Sequence, residues 1–306
     1  MSSSVVRPFA VVILAAVCFG TTGTAQAYGP DAASSSAVGL TRIVAGGALL
    51  GLVAWWAPGR SDVLRPTRPA RSQWLIVLVG GAAVLAYQPA FFAGARLNGV
   101  AIAAAVMLGA APVLTGLLEW IVTRELPPRV WFVATACAIV GVVLISGLLE
   151  ASGDAISMAG LAGSLGAGAA YAVYAVATKR LLGDGWRPTA AIGSIFATAA
   201  VLGAPFLLLV DLSWLGQASG VAMVAWLAVV TVAIAYVLFA IGLQSVSAAT
   251  ASTLTLAEPL TACVLGVVLL DERLTGMGWL GVVVLSGGVL ALALGGMSRR
   301  RVGVRS

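Results

Sequence analysis

Charge is scarce in this sequence. Only 9% of its 306 residues are Asp, Glu, Lys or Arg, against roughly 25% in a soluble domain. With 60% hydrophobic residues and a mean hydropathy of +1.05, such a chain cannot be kept in water by 17 basic and 11 acidic side chains. Disorder is excluded by the same numbers. The lipid bilayer is therefore the solvent and first partner of this chain. Histidine is absent, which removes Ser-His-Asp triads, Cys-His dyads and His-ligated metals. The cysteines Cys18, Cys137 and Cys263 lie far apart in apolar runs without a CxxC, so they read as small buried residues. A GxxxxGK[ST] loop is missing too, and no soluble segment is long enough to hold one. No metal and no cofactor are expected.

What is present is a series of apolar runs. A membrane helix needs about 20 mostly apolar residues. Charges and turn residues cut the chain into ten such spans: 8–28, 37–56, 73–95, 98–122, 130–149, 157–180, 189–210, 218–242, 247–270 and 277–297. The stretch 212–257 holds no charge and is divided at Gln244-Ser245. Short connections make neighbouring spans antiparallel. A barrel would need alternating segments of about 10 residues, so the fold class is an all-α membrane protein.

Orientation follows the basic residues. A cytoplasmic N-terminus leaves only Arg42, Arg96 and Arg273, of the 17 Lys and Arg, on the outer half. Both ends are then cytoplasmic, in a multi-pass protein of the cell membrane, with residues 298–306 as a basic tail. The net charge of +6 is thus a topology signal and implies no nucleic acid. Arg7, a short apolar run and Ala25-Gln26-Ala27 also imitate a cleavable secretory signal. Against that reading stands an internal repeat that needs the first span as partner for the sixth.

Shifting the chain by 147 positions places Phe92-Ala93 on Phe239-Ala240, Ala110-x-Pro112 on Ala257-x-Pro259, Glu125 on Glu272 and Gly141-Val142 on Gly288-Val289. Near the start of each half the shift becomes 152, with Phe19 on Tyr171. The halves are 8–149 and 157–297. Each has five spans, an odd number, so the second half enters the membrane from the opposite side. Many secondary transporters are built from such inverted repeats.

The run Ala110-Ala111-Pro112 to Arg124-Glu125, echoed by Glu258-Pro259 to Asp271-Glu272, resembles the drug/metabolite transporter superfamily and, within it, the EamA-type carriers. The resemblance covers about 9 to 296. It implies two five-helix halves around a central cavity, with helices 5 and 10 to the side, and a small-molecule substrate: an amino acid-like compound, an amine, another metabolite or a drug-like compound. Many relatives end the first helix with a Lys. Here Ala27 stands at that place, opposite Lys179.

Polar groups inside the membrane each need a reason. Glu258 lies near the middle of the ninth span, just before Pro259, which removes a backbone donor and frees the carbonyl of residue 255. Its carboxyl either exchanges protons as a coupling group or hydrogen-bonds to a neighbouring helix. Arg42 either snorkels to the headgroups or faces the cavity as a partner for a carboxylate. Gln88, Tyr87, Tyr171, Tyr174 and Tyr236 carry large polar ends suited to a cavity or another helix. The Ser and Thr of spans 1 and 9 bond readily to their own helix. Glu119, close to the end of the fourth span, is expected to reach water. Glu125 and Glu272 precede helices 5 and 10, where a carboxylate suits the N-terminal dipole. Gly47-x-x-x-Gly51 and Gly287-x-x-x-Ala291-x-x-x-Gly295 suit close helix contacts.

The leading functional expectation is a secondary carrier, exporting its substrate and driven by a gradient, with protons as the candidate coupling ion. Uptake and facilitation are alternatives. A partner subunit of a larger complex is another. An intramembrane enzyme is disfavoured. Asp31, Asp62, Asp154, Asp184, Asp211 and Asp271 all fall at or beyond span ends, and a serine enzyme lacks its base.

Overall fold

In lipid each backbone amide must find its partner inside its own segment, and this chain does so with helices. The computed structural model describes residues 3–56, 70–148 and 156–303. Arg60, Arg65 and Arg68, the loop residues Glu150, Ser152 and Asp154, and Arg305 lie outside the described residues.

The helices are α1 (Ser3–Ala27), α2 (Ser35–Trp56), α3 (Arg71–Asn98), α4 (Val100–Thr123), α5 (Arg129–Ile145), α6 (Met158–Gly183), α7 (Pro188–Gly203), α8 (Ala218–Leu243), α9 (Ala248–Leu269) and α10 (Gly276–Gly303). Among the described residues, nine are long and apolar enough to cross a bilayer. The exception is α5, which stops at Ile145 after 17 residues instead of running to 149. The division at Gln244-Ser245 falls where α8 ends. Elsewhere the boundaries move by a few residues: α1 starts before its Pro8, and α7 tightens into a 3-10 turn over Ala204–Leu209.

Hydroxyls start several helices. Ser34 Oγ accepts from the Ala37 amide at α2, Ser157 Oγ from Gly160 at α6, and Ser247 Oγ from Thr250 at α9. Both α4 and α9 end on a left-handed residue that is not glycine, Arg124 (φ 62°) and Asp271 (φ 54°). These two positions are related by the 147-residue shift, so the repeat extends to backbone conformation.

Packing crosses between the halves. The main partners are α3 with α6, α2 with α7, α5 with α10, α4 with α6, and α1 with α8 and α9. Val12, Ala15 and Ala16 on α1 are fully buried, so α1 belongs to the core. Small residues permit these contacts. A Cβ on Gly193 of α7 would meet the Leu50 carbonyl of α2 at 2.8 Å, and Gly47 of α2 abuts the Phe196 carbonyl of α7. The α5–α10 seam uses Gly141, Gly281 and Gly288. Gly287 faces open space, one position off the expected contact row, while Gly295 packs on Val130.

The fold is thus all-α, in two inverted five-helix repeats. Two departures from regular helix stand out. Within α8, Val229–Ile234 forms a π-helical segment. Within α9, the helix breaks between Leu254 and Ala257, just ahead of Glu258-Pro259. The carbonyl freed by Pro259 is taken up by a tighter bond, Glu258 N–H to Thr255 O at 2.9 Å. Its repeat mate α4 contains Pro112 and stays continuous.

Candidate functional site

The bundle encloses a vestibule of about 840 Å³. Its rim is formed by Gln26, Ser35, Ser36, Arg96 and Val100, which belong to the adjoining ends of α1 to α4. It narrows inward to a pocket of about 80 Å³. Ligand sites usually measure roughly 300–1,000 Å³, so the vestibule has the size for a metabolite and the inner pocket does not.

All seven residues singled out in the sequence line the inner pocket: Arg42, Tyr87, Gln88, Tyr171, Tyr174, Tyr236 and Glu258. Arg42, Tyr87, Gln88 and Glu258 also line the vestibule. Among the described residues, none of α5 or α10 lines either space, so both lie to the side as the resemblance implies.

Of the two places open to Arg42, the structure takes the cavity. Its Nη2 donates to the carbonyl of Thr231 in the π segment at 3.3 Å. π turns leave carbonyls without their usual helical partners, and they recur at functional sites. Glu258 faces the same cavity from the broken part of α9. Among the described residues no ion pair joins it to Arg42.

Aromatic rings close the inner floor. Tyr236 packs tilted against Phe196 and edge-on against Phe19, with centroids 4.2 and 4.8 Å away, and Tyr174 lies 5.7 Å from Tyr236. The Tyr171 hydroxyl pairs with Thr255 Oγ1 at 2.9 Å, in the break of α9. Tyr87 reaches Met107 Sδ at 3.8 Å. The Tyr174 hydroxyl is buried, with no hydrogen-bond partner among the described residues. Ser252 and Thr255 of α9 also line the pocket, whereas Thr253 pairs with Thr135 of α5. On α1, Thr22 and Gln26 face the vestibule. Thr21 and Thr22 also bond to their own helix, as short hydroxyls do.

The repeat explains the lopsided chemistry. Three pairs of repeat mates line the pocket: Phe19 with Tyr171, Leu108 with Thr255 and Ala111 with Glu258. In each pair the second half carries the polar side chain. Phe196, Met107 and Phe19 were not singled out as site residues. Phe19 was signalled by its alignment with Tyr171, while no sequence feature marks Phe196.

One expectation is corrected. Glu119 does not reach water. It is 8% exposed, and its carboxylate accepts from the amides of Ala248 and Ala249, at 2.7 and 2.9 Å. Position along a helix gives depth and not the direction faced, and here the side chain turns inward. The two late glutamates, expected to suit the dipoles of the following helices, make no side-chain hydrogen bond to those helices among the described residues. Glu125 is exposed and no side chain caps α5. Glu272 lies against Gly266 of α9, while Thr275 caps α10.

The comparisons with known proteins agree with this architecture. The profile of the EamA-like transporter family matches twice, at residues 8–147 and 158–294. An uncharacterized transporter of Bacillus subtilis (strain 168), YwfM, is 34% identical over 282 residues, covering 92% of each chain. A protein of known crystal structure superposes with a TM-score of 0.77 at 21% identity, over 96% of this chain and 98% of that one, and shares the fold. The double match, the relative along nearly the whole length and the ten-helix repeat together place this chain in the EamA-like transporter family, as a multi-pass membrane transporter.

Proposed function

We propose that the protein is a secondary carrier of the cell membrane that exports a small polar or amphipathic metabolite, of amino acid-like, amine or drug-like character. The observation that carries this is one cavity, open at one end of the bundle, with Arg42 and Glu258 both facing it. A cation and a carboxyl facing one cavity suit a solute with polar groups of both kinds, and Gln88 and the tyrosines suit its neutral donors and acceptors. Substrate binds Arg42 through an anionic group and covers the aromatic floor with its apolar part.

The Lys and Arg bias puts both termini in the cytoplasm. The vestibule then faces outward. Alternating access comes from exchange of conformation between two similar halves of opposite orientation. The sequence lacks a nucleotide-binding loop, so the energy source in this reading is a gradient. One elementary charge crossing 100 mV is worth about 2.3 kcal/mol, and Glu258 is the group that carries the coupling proton.

The test compares metabolites inside and outside cells with and without the gene. A solute that accumulates inside the deletion strain, and moves into vesicles reconstituted with the purified protein, establishes substrate and direction. Its depletion from the deletion strain would reverse the direction to uptake.

A further inference from the structure

Two charged side chains grip the turn between α8 and α9 from its two sides. Glu119 of α4 accepts from the first amides of α9, those of Ala248 and Ala249, at 2.7 and 2.9 Å. A helix leaves these amides unsatisfied, and its dipole makes them positive. Lys179 of α6 donates to the carbonyls of Leu243 and Val246, both at 2.7 Å, where α8 ends and its dipole is negative. The acid thus meets the positive end of one helix and the base meets the negative end of the one before. Trp131 of α5 adds a bond to the Ala249 carbonyl at 3.0 Å.

This turn lies at the end of the bundle away from the vestibule. Asn98 at the end of α3 pairs with Ser157 at the start of α6, so α6 begins beside the vestibule rim and carries Lys179 to the opposite end. Glu119 is likewise near the far end of α4, whose first residue, Val100, is on the rim.

The grip has no twin. The 147-residue shift maps Glu119 onto Gly266, and the 152-residue shift maps Lys179 onto Ala27. At the vestibule end, the positions that would hold the α3–α4 turn carry a glycine and an alanine. That is also the end that stands open.

We infer that Glu119 and Lys179 form a one-sided latch on the far end of the bundle. The latch opens in each transport cycle and, because the vestibule end has no counterpart, it makes the open-vestibule state the resting one. Opening the far end exposes the amides of Ala248 and Ala249, so bound substrate must favour that state by more than the latch favours the present one. The inference of a cycle rests on the carrier reading above. The effect on conformation does not.

The experiment uses the full-length protein with Cys18, Cys137 and Cys263 replaced by Ala. It carries Gly23→Cys, a vestibule position where an added side chain meets open space. The reaction rate of a maleimide with this thiol reads the open-vestibule population. In a second sample, spin labels at the exposed Thr123 and Gln244 read the separation of the far ends of α4 and α8. Glu119→Gln and Lys179→Met, singly and together, should slow the thiol reaction by roughly threefold or more and add a longer spin–spin distance. Lys179→Arg, which keeps the donor, should restore both. Thermal unfolding curves identify variants that are folded. Unchanged rates and distances in folded single variants overturn the latch. An unchanged conformational response alongside lost transport also overturns it and leaves the carrier reading standing. Shifted conformations in a protein that moves no solute remove the carrier reading and keep the latch.

Discussion

The guanidinium of Arg42 is tied to the main-chain carbonyl of Thr231, 3.3 Å away, in the π-helical segment of α8. The bond joins α2 to the wall of the cavity and aims a cation inward, away from the headgroups. The Thr231 hydroxyl donates back to the Leu227 carbonyl at 2.7 Å.

From that geometry, Arg42→Ala should abolish most substrate binding while leaving a folded protein. A hydrogen bond to a charged group contributes about 1.5–3 kcal/mol, which corresponds to roughly 10- to 150-fold in affinity. Arg42→Lys keeps the charge and loses the planar fork, so it should recover only part of the loss. Equilibrium binding of the identified substrate to purified variants checks both. Wild-type affinity in Arg42→Ala would show that the guanidinium serves the π segment alone.

Topology is tested with single cysteines in a cysteine-free background. Ser34→Cys, exposed in the α1–α2 connection, should react with an impermeant maleimide in intact cells. Gln244→Cys and Ser298→Cys should react only after the cells are opened. The opposite pattern would put the vestibule on the cytoplasmic side and turn the basic bias into an exception.

Close packing gives a stability prediction. A Cβ at residue 193 would stand 2.6 Å from Ala54 Cβ and 2.8 Å from the Leu50 carbonyl. Backbone must shift to admit it, at a cost of about 1–3 kcal/mol. Gly193→Ala should lower the unfolding temperature in detergent. Gly183→Ala, which meets nothing within 4 Å, should not. Equal unfolding temperatures for the two variants would mean that α2 and α7 part easily.

The ten helices were legible because lipid imposes a length and a composition on each one. The seven cavity residues were legible for a related reason: a large polar group in an apolar span has few places to go. The break in α9 was signalled by Pro259. The π segment was not, since Val229–Ile234 contains no Pro or Gly and reads as ordinary apolar helix. Glu119 was misread because only three-dimensional packing shows that its face of α4 meets the start of α9. In sequence Lys179 is marked only as the mate of Ala27, because its carbonyl partners at Leu243 and Val246 lie more than sixty residues away. The shortness of α5 was also hidden, because the apolar run continues past Ile145 while the helix does not.

In the carrier proposed above, Glu258 is the residue on which energy coupling turns. It sits ten residues into α9, about 15 Å from the helix start at 1.5 Å per residue, too deep to snorkel. Among the described residues no side chain donates a hydrogen bond to its carboxyl and no ion pair holds it, so its replacement leaves no orphaned partner. A coupling carboxyl must release its proton in one conformation and regain it in the other. Glu258→Gln preserves the size of the group and fixes it in a neutral form. The variant should insert, reach wild-type protein levels and bind substrate. In vesicles it should lose accumulation driven by a pH gradient while still exchanging labelled for unlabelled substrate. Glu258→Asp, which keeps the titratable group on a shorter arm, should retain part of the driven transport. Full pH-driven transport by Glu258→Gln would reduce Glu258 to a polar wall of the cavity, and coupling would then have to reside in the substrate's own charge.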